Sequence, residues 1–282
     1  GPPPALPAFV LDEPFRPLTP AADYRRDIAR IHDYIVAGDC YQVNYAMPFT
    51  ARYHGHSFAA YCRLRDTVPS PYMAYINAGR QQILSISPEC FIEASGQRLS
   101  SRPIKGTAAR AADAGQDRQQ AEALQQSAKN RAENVMIVDL IRNDFSRFSR
   151  PHSVQVEALC QLESYANVHH LVSTVNAELA APYTVWDVFF ASFPGGSITG
   201  APKIRACQII NELEQHNREI YCGSVFAASD NGRFSASIAI RTLLCDNGRI
   251  SAWAGGGIVA DSTADEEYQE CLNKIGALLD AL

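Results

Sequence analysis

The sequence has no apolar run approaching the ~20 residues that a membrane-spanning helix needs, so it offers no candidate span. It has no block of lysine and arginine either. The net charge is −5 with both signs mixed along the chain, a poor match to a phosphate backbone, and no nucleic-acid partner is expected. Eight cysteines are present, yet no two form a Cys-x-x-Cys pair, which argues against a structural zinc site. A chain of 282 residues does not need disulfide staples. The cysteines are therefore expected as reduced, buried or half-buried thiols, and the compartment as the cytoplasm. The start of the chain lacks the basic residues and apolar core of a signal peptide. Prolines at 2, 3, 4, 7, 14, 17 and 20 instead read as a proline-rich arm over residues 1–20. There is no internal repeat and no later linker, so residues 21–282 are expected as one domain.

What is present is ordinary globular composition, 46% apolar and 20% charged, with clear punctuation. Thr19-Pro20 starts a helix carrying Tyr24, Ile28, Ile31 and Ile35, and Gly38 ends it. From Cys40 to Phe49 apolar and polar residues alternate, the pattern of a strand. Residues 72–101 read as short strands. Residues 117–145 read as one long helix, apolar nearly all round from Val135 to Ile141 and so expected to be buried there. A strand over about 168–177 precedes helices near 184–192 and 201–214. Strands follow at 220–229, 233–244 and 249–254, with Asn231-Gly232 and Asn247-Gly248 as hairpin signals. Thr263 with Glu266 suggests a capping box for a last helix. Antiparallel strands mixed with separate helices make the class α+β.

Two glycine-rich motifs fail as nucleotide sites. Gly195 and Gly200 have P-loop separation, but Ala201-Pro202-Lys203 stands where lysine and a hydroxyl should follow. Pro202 at a helix start still leaves N–H groups there that suit an anion. Gly255-Gly256-Gly257-Ile258-Val259-Ala260 fits G-x-G-x-x-A, but the chain ends after one more helix, short of a dinucleotide fold. Three consecutive glycines still imply a close approach to backbone.

On the last helix Tyr268, Cys271, Leu272, Ile275, Leu278 and Leu279 form a core stripe, with Glu267, Glu270 and Lys274 along one edge. Two carboxylates one turn apart can share a metal, but from spacing alone Glu270 with Lys274 reads first as a surface pair. Glu133 precedes the apolar part of its helix. There it must be paired, protonated or metal-bound, and oxygen ligands suit magnesium. Lys105, in Pro103-Ile104-Lys105-Gly106-Thr107, reads either as a surface charge or as an amine nucleophile beside a closing backbone. His170 reads first as a satisfied strand histidine.

Together these segments resemble the chorismate-utilising enzymes. The stretches that carry the resemblance are 38–44 (GDCYQVN), 103–107 (PIKGT), 131–144 (RAENVMIVDLIRND), 169–175 (HHLVSTV), 193–206 (FPGGSITGAPKIRA), 237–243 (SIAIRTL) and 253–270, which opens on WAGGGIVADS and ends on EYQE. They stand in the family's order. The resemblance implies antiparallel sheets packed in a sandwich with surrounding helices. It implies Glu133, Glu267 and Glu270 as carboxylates of a magnesium site. Arg241 and Tyr221 would hold the enolpyruvyl carboxylate, and Gly255, Gly256, Gly257 and Lys274 the ring carboxylate. Gly106, Thr107 and Thr199 would be further substrate positions. Anthranilate synthases carry alanine at the position of Lys105, and the aminodeoxychorismate synthases carry lysine. Set against the family pattern, the chain is expected to lack an amino-terminal region, and it reads Phe145-Ser146-Arg147 where Leu-Gly-Arg is usual.

The implied chemistry is amination of chorismate at C4. Glu89 protonates the departing hydroxyl, Lys105 adds at C2, and ammonia, delivered by a glutamine amidotransferase subunit, expels it. His170 matches a family histidine linked to pyruvate elimination. The alternatives are amination at C2 with loss of pyruvate, and a non-catalytic piece that only docks an amidotransferase.

Overall fold

The structure, a computed structural model, describes residues 6–165 and 168–282, so Pro2, Pro3 and Pro4 of the expected arm lie outside the described residues. The chain opens with β1 (Val10–Leu11), β2 (Arg16–Pro17), α1 (Ala21–Val36), β3 (Gln42–His54), α2 (Ser57–Thr67), β4 (Tyr72–Ala78) and β5 (Gln81–Ser87). It continues with β6 (Cys90–Ser95), β7 (Arg98–Arg102), β8 (Ile104–Ala109), α3 (Ala114–Gln126), α4 (Ala128–Ser146), β9 (Gln155–Ser164), β10 (Val168–Glu178) and α5 (Val185–Ser192). It closes with β11 (Gly200–Ala201), α6 (Lys203–Leu213), β12 (Ser224–Ala228), β13 (Arg233–Ile238), β14 (Thr242–Asp246), β15 (Arg249–Ile258) and α7 (Ala264–Asp280). Among the described residues no helix is long and apolar enough to cross a membrane. All eight cysteines are free, six of them buried and two half-buried.

Two compact units result: Gly1–Pro88 with Ile198–Val225 and Ile238–Leu282, and Glu89–Ser197 with Phe226–Ser237. The first holds a sheet in the order β1-β3-β15-β14-β5-β4, with β2 and β11 also on β3. β3 and β15 run antiparallel in long register, with Ala46, Tyr45 and Asn44 opposite Gly255, Gly256 and Gly257. Helices α1 and α7 share a core with this sheet. The Tyr24 ring meets Tyr45 at 5.3 Å and Tyr268 at 5.2 Å, each edge to face. Tyr45 donates to the buried Asp27 at 2.6 Å. Phe9 is buried, and the described part of the proline-rich segment pairs with β3 through β1 and β2.

The second unit holds the order β12-β13-β6-β7-β10-β8, with β9 also on β10. α4 is tied to β10 by the fully buried Asn134, whose Nδ2 donates to the Leu171 carbonyl at 3.3 Å and whose Oδ1 accepts from Ser173. An aromatic cluster centred on Phe189 of α5 meets Phe91 and Phe234 at 5.8 and 5.5 Å.

The α+β class is met, with antiparallel sheets and separate helices. Four local expectations are corrected. The helix over 117–145 is two, broken at Ser127, which leaves α3 and caps α4 by accepting from the Asn130 N–H. α4 buries one side only: Ile137 and Val138 are buried, but Val135 is 41% exposed. The strand over 233–244 is interrupted before Thr242 by Arg241, at φ 48°. Thr263 stands at the N-cap of α7 but forms no capping box, because its hydroxyl donates to the Glu266 carboxylate at 2.7 Å instead of accepting a backbone N–H.

Candidate active site

In the second unit β8 carries Lys105, Gly106 and Thr107. Pairing with β10 sets Thr107 opposite His170, and the Thr107 hydroxyl lies 2.9 Å from His170 Nδ1. Gly106 has φ +90°, and a Cβ there would meet Asn130 and Leu124 at 3.0 Å, so only glycine lets β8 lie this close to the start of α4. Lys105 Nζ donates to the Ser197 carbonyl at 3.2 Å and lies 4.0 Å from Glu133 Oε2. Glu89 is buried, hydrogen-bonds to Ser197 and feels the Lys105 charge. Burial pushes its carboxyl above the ordinary range, against the lowering effects of Ser197 and Lys105. Glu89 and Lys105 thus meet at Ser197, with Glu133 beside Lys105: one carboxyl inclined to keep its proton, one amine and one further carboxylate.

In the first unit the three glycines of β15 do separate jobs. A Cβ on Gly255 would stand 2.7 Å from the Tyr45 carbonyl oxygen. One on Gly256 would stand 2.7 Å from Glu267 Oε2, and one on Gly257 would overlap Gln42 Nε2 at 1.8 Å. The missing side chains therefore admit polar groups to the strand backbone. Lys274 Nζ reaches in to donate to the Gly255 carbonyl at 3.1 Å and pairs with Glu270 at 2.6 Å. The Lys274 side chain is 44% exposed and that of Glu270 49%. Desolvation pulls the Lys274 ammonium down, but Glu270 outweighs it and the net shift is upward.

Glu267 is 3% exposed and accepts from Ser262 Oγ at 2.6 Å, so it belongs to the buried face of α7, not merely its edge. Tyr221 is buried, its hydroxyl kept protonated by desolvation, and its ring stacks on Trp253 at 6.5 Å. Arg241 is half-buried, and burial lowers the pKa of its guanidinium. The Thr199 carbonyl accepts from the Asn44 N–H at 2.8 Å.

Sequence reasoning passed over Gln42 and Asn44. Both are buried, at 1% and 5%, and Gln42 Oε1 and Asn44 Nδ2 find no hydrogen-bond partner. Their signal was available: two amides on one face of a strand that is otherwise core. Among the described residues no group of three or more His, Cys, Asp or Glu side chains is gathered closely enough to hold a metal ion. The donor chemistry around Glu267 nevertheless suits magnesium, with a buried carboxylate, a serine hydroxyl and a second carboxylate one turn on.

The profile of a family described as chorismate binding enzyme matches residues 2–280. This chain belongs to the chorismate-binding enzyme family. Among its curated relatives, aminodeoxychorismate synthase component 1 of Klebsiella aerogenes is 45% identical over 99% of this chain and 62% of its own length. Anthranilate synthase component 1 of Thermus thermophilus is 41% identical over 93% of this chain and 58% of its own length. The crystal structure of anthranilate synthase component I from Streptococcus pneumoniae superposes with a TM-score of 0.87 at 35% identity, covering 96% of this chain and 60% of that one. The chain thus spans about three fifths of the length of the curated relatives it matches.

Proposed function

We propose that the chain aminates chorismate at C4, giving 4-amino-4-deoxychorismate and water, on the way to 4-aminobenzoate and folate. The observation that carries this reading is Lys105 itself, a largely buried amine beside a carboxyl inclined to keep its proton. Lys105 Nζ forms a bond to C2 as the ring double bonds shift and the C4–O bond breaks. Glu89 gives its proton to the departing hydroxyl, which leaves as water. Ammonia then bonds to C4, the double bonds shift back, the C2–N bond to Lys105 breaks, and the proton lost by ammonia restores Glu89. His170, Gly106 and Thr107 line the reacting region. Tyr221 and Arg241 hold the enolpyruvyl carboxylate. Thr199, the Gly255–Gly257 backbone and Lys274 hold the rest of the substrate.

Magnesium would be held by Glu267 and Glu270, with Glu133 as the third carboxylate of the set; when bound to the ring carboxylate it would make the diene a better electron sink. Relatives named component 1 imply a second component. We assign that role to a glutamine amidotransferase, because nothing in this chain reads as a glutaminase. The competing reading, amination at C2 with loss of pyruvate, draws on the similarity to anthranilate synthases. Incubation with chorismate, magnesium and ammonium, followed by product analysis, tests the choice. An aminated product that retains the enolpyruvyl group supports C4 amination. Anthranilate with stoichiometric pyruvate refutes it.

A further inference from the structure

Between α6 and β12 the chain is held by a buried ion pair that none of the roles above uses. Arg218 Nε donates to Glu214 Oε2 at 2.8 Å and Nη2 to Oε1 at 2.6 Å, a two-point fork. The side chains are 16% and 6% exposed. A guanidinium this far from water is tolerated only when its donors are satisfied, and here they are. Nη2 also donates to the Asn44 carbonyl at 2.6 Å, and Nη1 donates to the Ile198 carbonyl at 2.9 Å and to Cys222 Sγ at 3.4 Å. Glu214 in turn accepts from the Ala46 N–H at 2.9 Å. Glu214 is the C-cap of α6, at the negative end of the helix dipole, where a carboxylate is disfavoured. Helix stability therefore does not explain it, whereas the pairing with Arg218 does.

The groups tied together are neighbours of the residues assigned to substrate. Ile198 precedes Thr199, Cys222 follows Tyr221, and Asn44 also donates its N–H to Thr199. The guanidinium lies 5.7 Å from the Tyr221 ring centre. Trp253, stacked on the other partner of that ring contact, donates to the Asn217 carbonyl at 3.2 Å, one residue before Arg218. An apolar contact would fill the same space. Only a planar fork fixes several carbonyls at set distances.

We propose that Arg218, held in place by Glu214, is a positioning residue that sets Tyr221 and Thr199 for the substrate. The proposal rests on the reading that those two residues bind chorismate. Arg218→Lys keeps the charge and loses the fork, and Glu214→Gln loses the charged acceptor. With Trp186 replaced by Phe, Trp253 is the only tryptophan, so its emission reports the 214–223 segment without any substrate. We expect both variants to shift that emission and to raise the KM for chorismate about tenfold while kcat stays within about threefold, the signature of a lost binding contact. Arg218→Met combined with Glu214→Gln should be no worse than Arg218→Met alone, because the two act as a unit. A pair that only holds the fold together would lower the melting temperature of Arg218→Lys and leave its KM and Trp253 emission at parent values. That result overturns the proposal. A parent chain that does not turn over chorismate overturns the functional reading instead. In that case an unmoved Trp253 emission in Arg218→Lys overturns the positioning role as well.

Discussion

Lys105 Nζ stands 4.0 Å from Glu133 Oε2, with the two side chains only 13% and 14% exposed. An amine in that setting is placed by its neighbours, not by solvent, and its removal tests the bond proposed for it. Lys105→Ala should slow C4 amination at least about a hundredfold and abolish any substrate-derived mass on the peptide containing residue 105. Lys105→Arg should fare no better, because a guanidinium stays protonated. Intact-mass and peptide-mass measurement after a chorismate pulse checks this.

In the proposed mechanism the pH dependence comes from Glu89. Its folded pKa is raised by burial, so the folded state holds this proton above the usual carboxylate range of roughly 4.3. A step that uses the protonated form is therefore active below the raised pKa and is lost as pH rises through it. Supply of neutral ammonia rises with pH in the opposite sense, so the profile with ammonium salts should have two limbs. Stability follows the same linkage. Between the unfolded and folded pKa the native state binds more protons, so stability falls as pH rises through that window and stays lowered above it. Glu89→Gln should flatten that stability slope and depress turnover at every pH. Melting curves against pH, beside rate profiles, measure both.

The glycines of β15 and α7 give opposite predictions for one substitution. Gly256→Ala puts a methyl 2.7 Å from Glu267 Oε2 and should displace that carboxylate, weakening magnesium binding measured by calorimetry. Gly276, inside α7, has nothing within 4 Å of a new Cβ. Gly276→Ala should therefore stabilise the chain by about 0.5–1 kcal/mol. Both changes are read in one chemical-denaturation and titration series.

Much of this was legible in the sequence, and the misses have physical causes. Asn231-Gly232 and Asn247-Gly248 announced their hairpins because few residues other than asparagine and glycine accept positive φ, and Asn247 sits at 49° with Gly248 at 73°. Ser127 was absorbed into a single long helix, since a serine reads as a cap only once its hydroxyl is seen to accept from Asn130. β9 was not anticipated. It pairs with β10 through two register shifts, with Cys160 at φ 52°, so its sequence lacks clean alternation. Glu89, Lys105, Glu133 and Ser197 are spread along the chain, and only folding brings Lys105 to Ser197 and Glu133 to Lys105.

The carboxylates assigned to magnesium make their own test. Glu267→Gln removes the charge from a buried group held by Ser262, and Glu270→Gln breaks the pair with Lys274. If these carboxylates bind the metal, each change lowers magnesium affinity in a substrate-free titration, and Glu133→Gln does the same. If Glu270 serves only as a surface partner of Lys274, its glutamine variant shifts stability by no more than a few tenths of a kcal/mol and leaves the titration unchanged.

C4 amination through Lys105 is decided by product analysis of the parent chain and Lys105→Ala, each incubated with chorismate, magnesium and ammonium. The parent should give 4-amino-4-deoxychorismate with no pyruvate released, and the variant almost none. Anthranilate with pyruvate from the parent, or equal amounts of 4-amino-4-deoxychorismate from both chains, would contradict it.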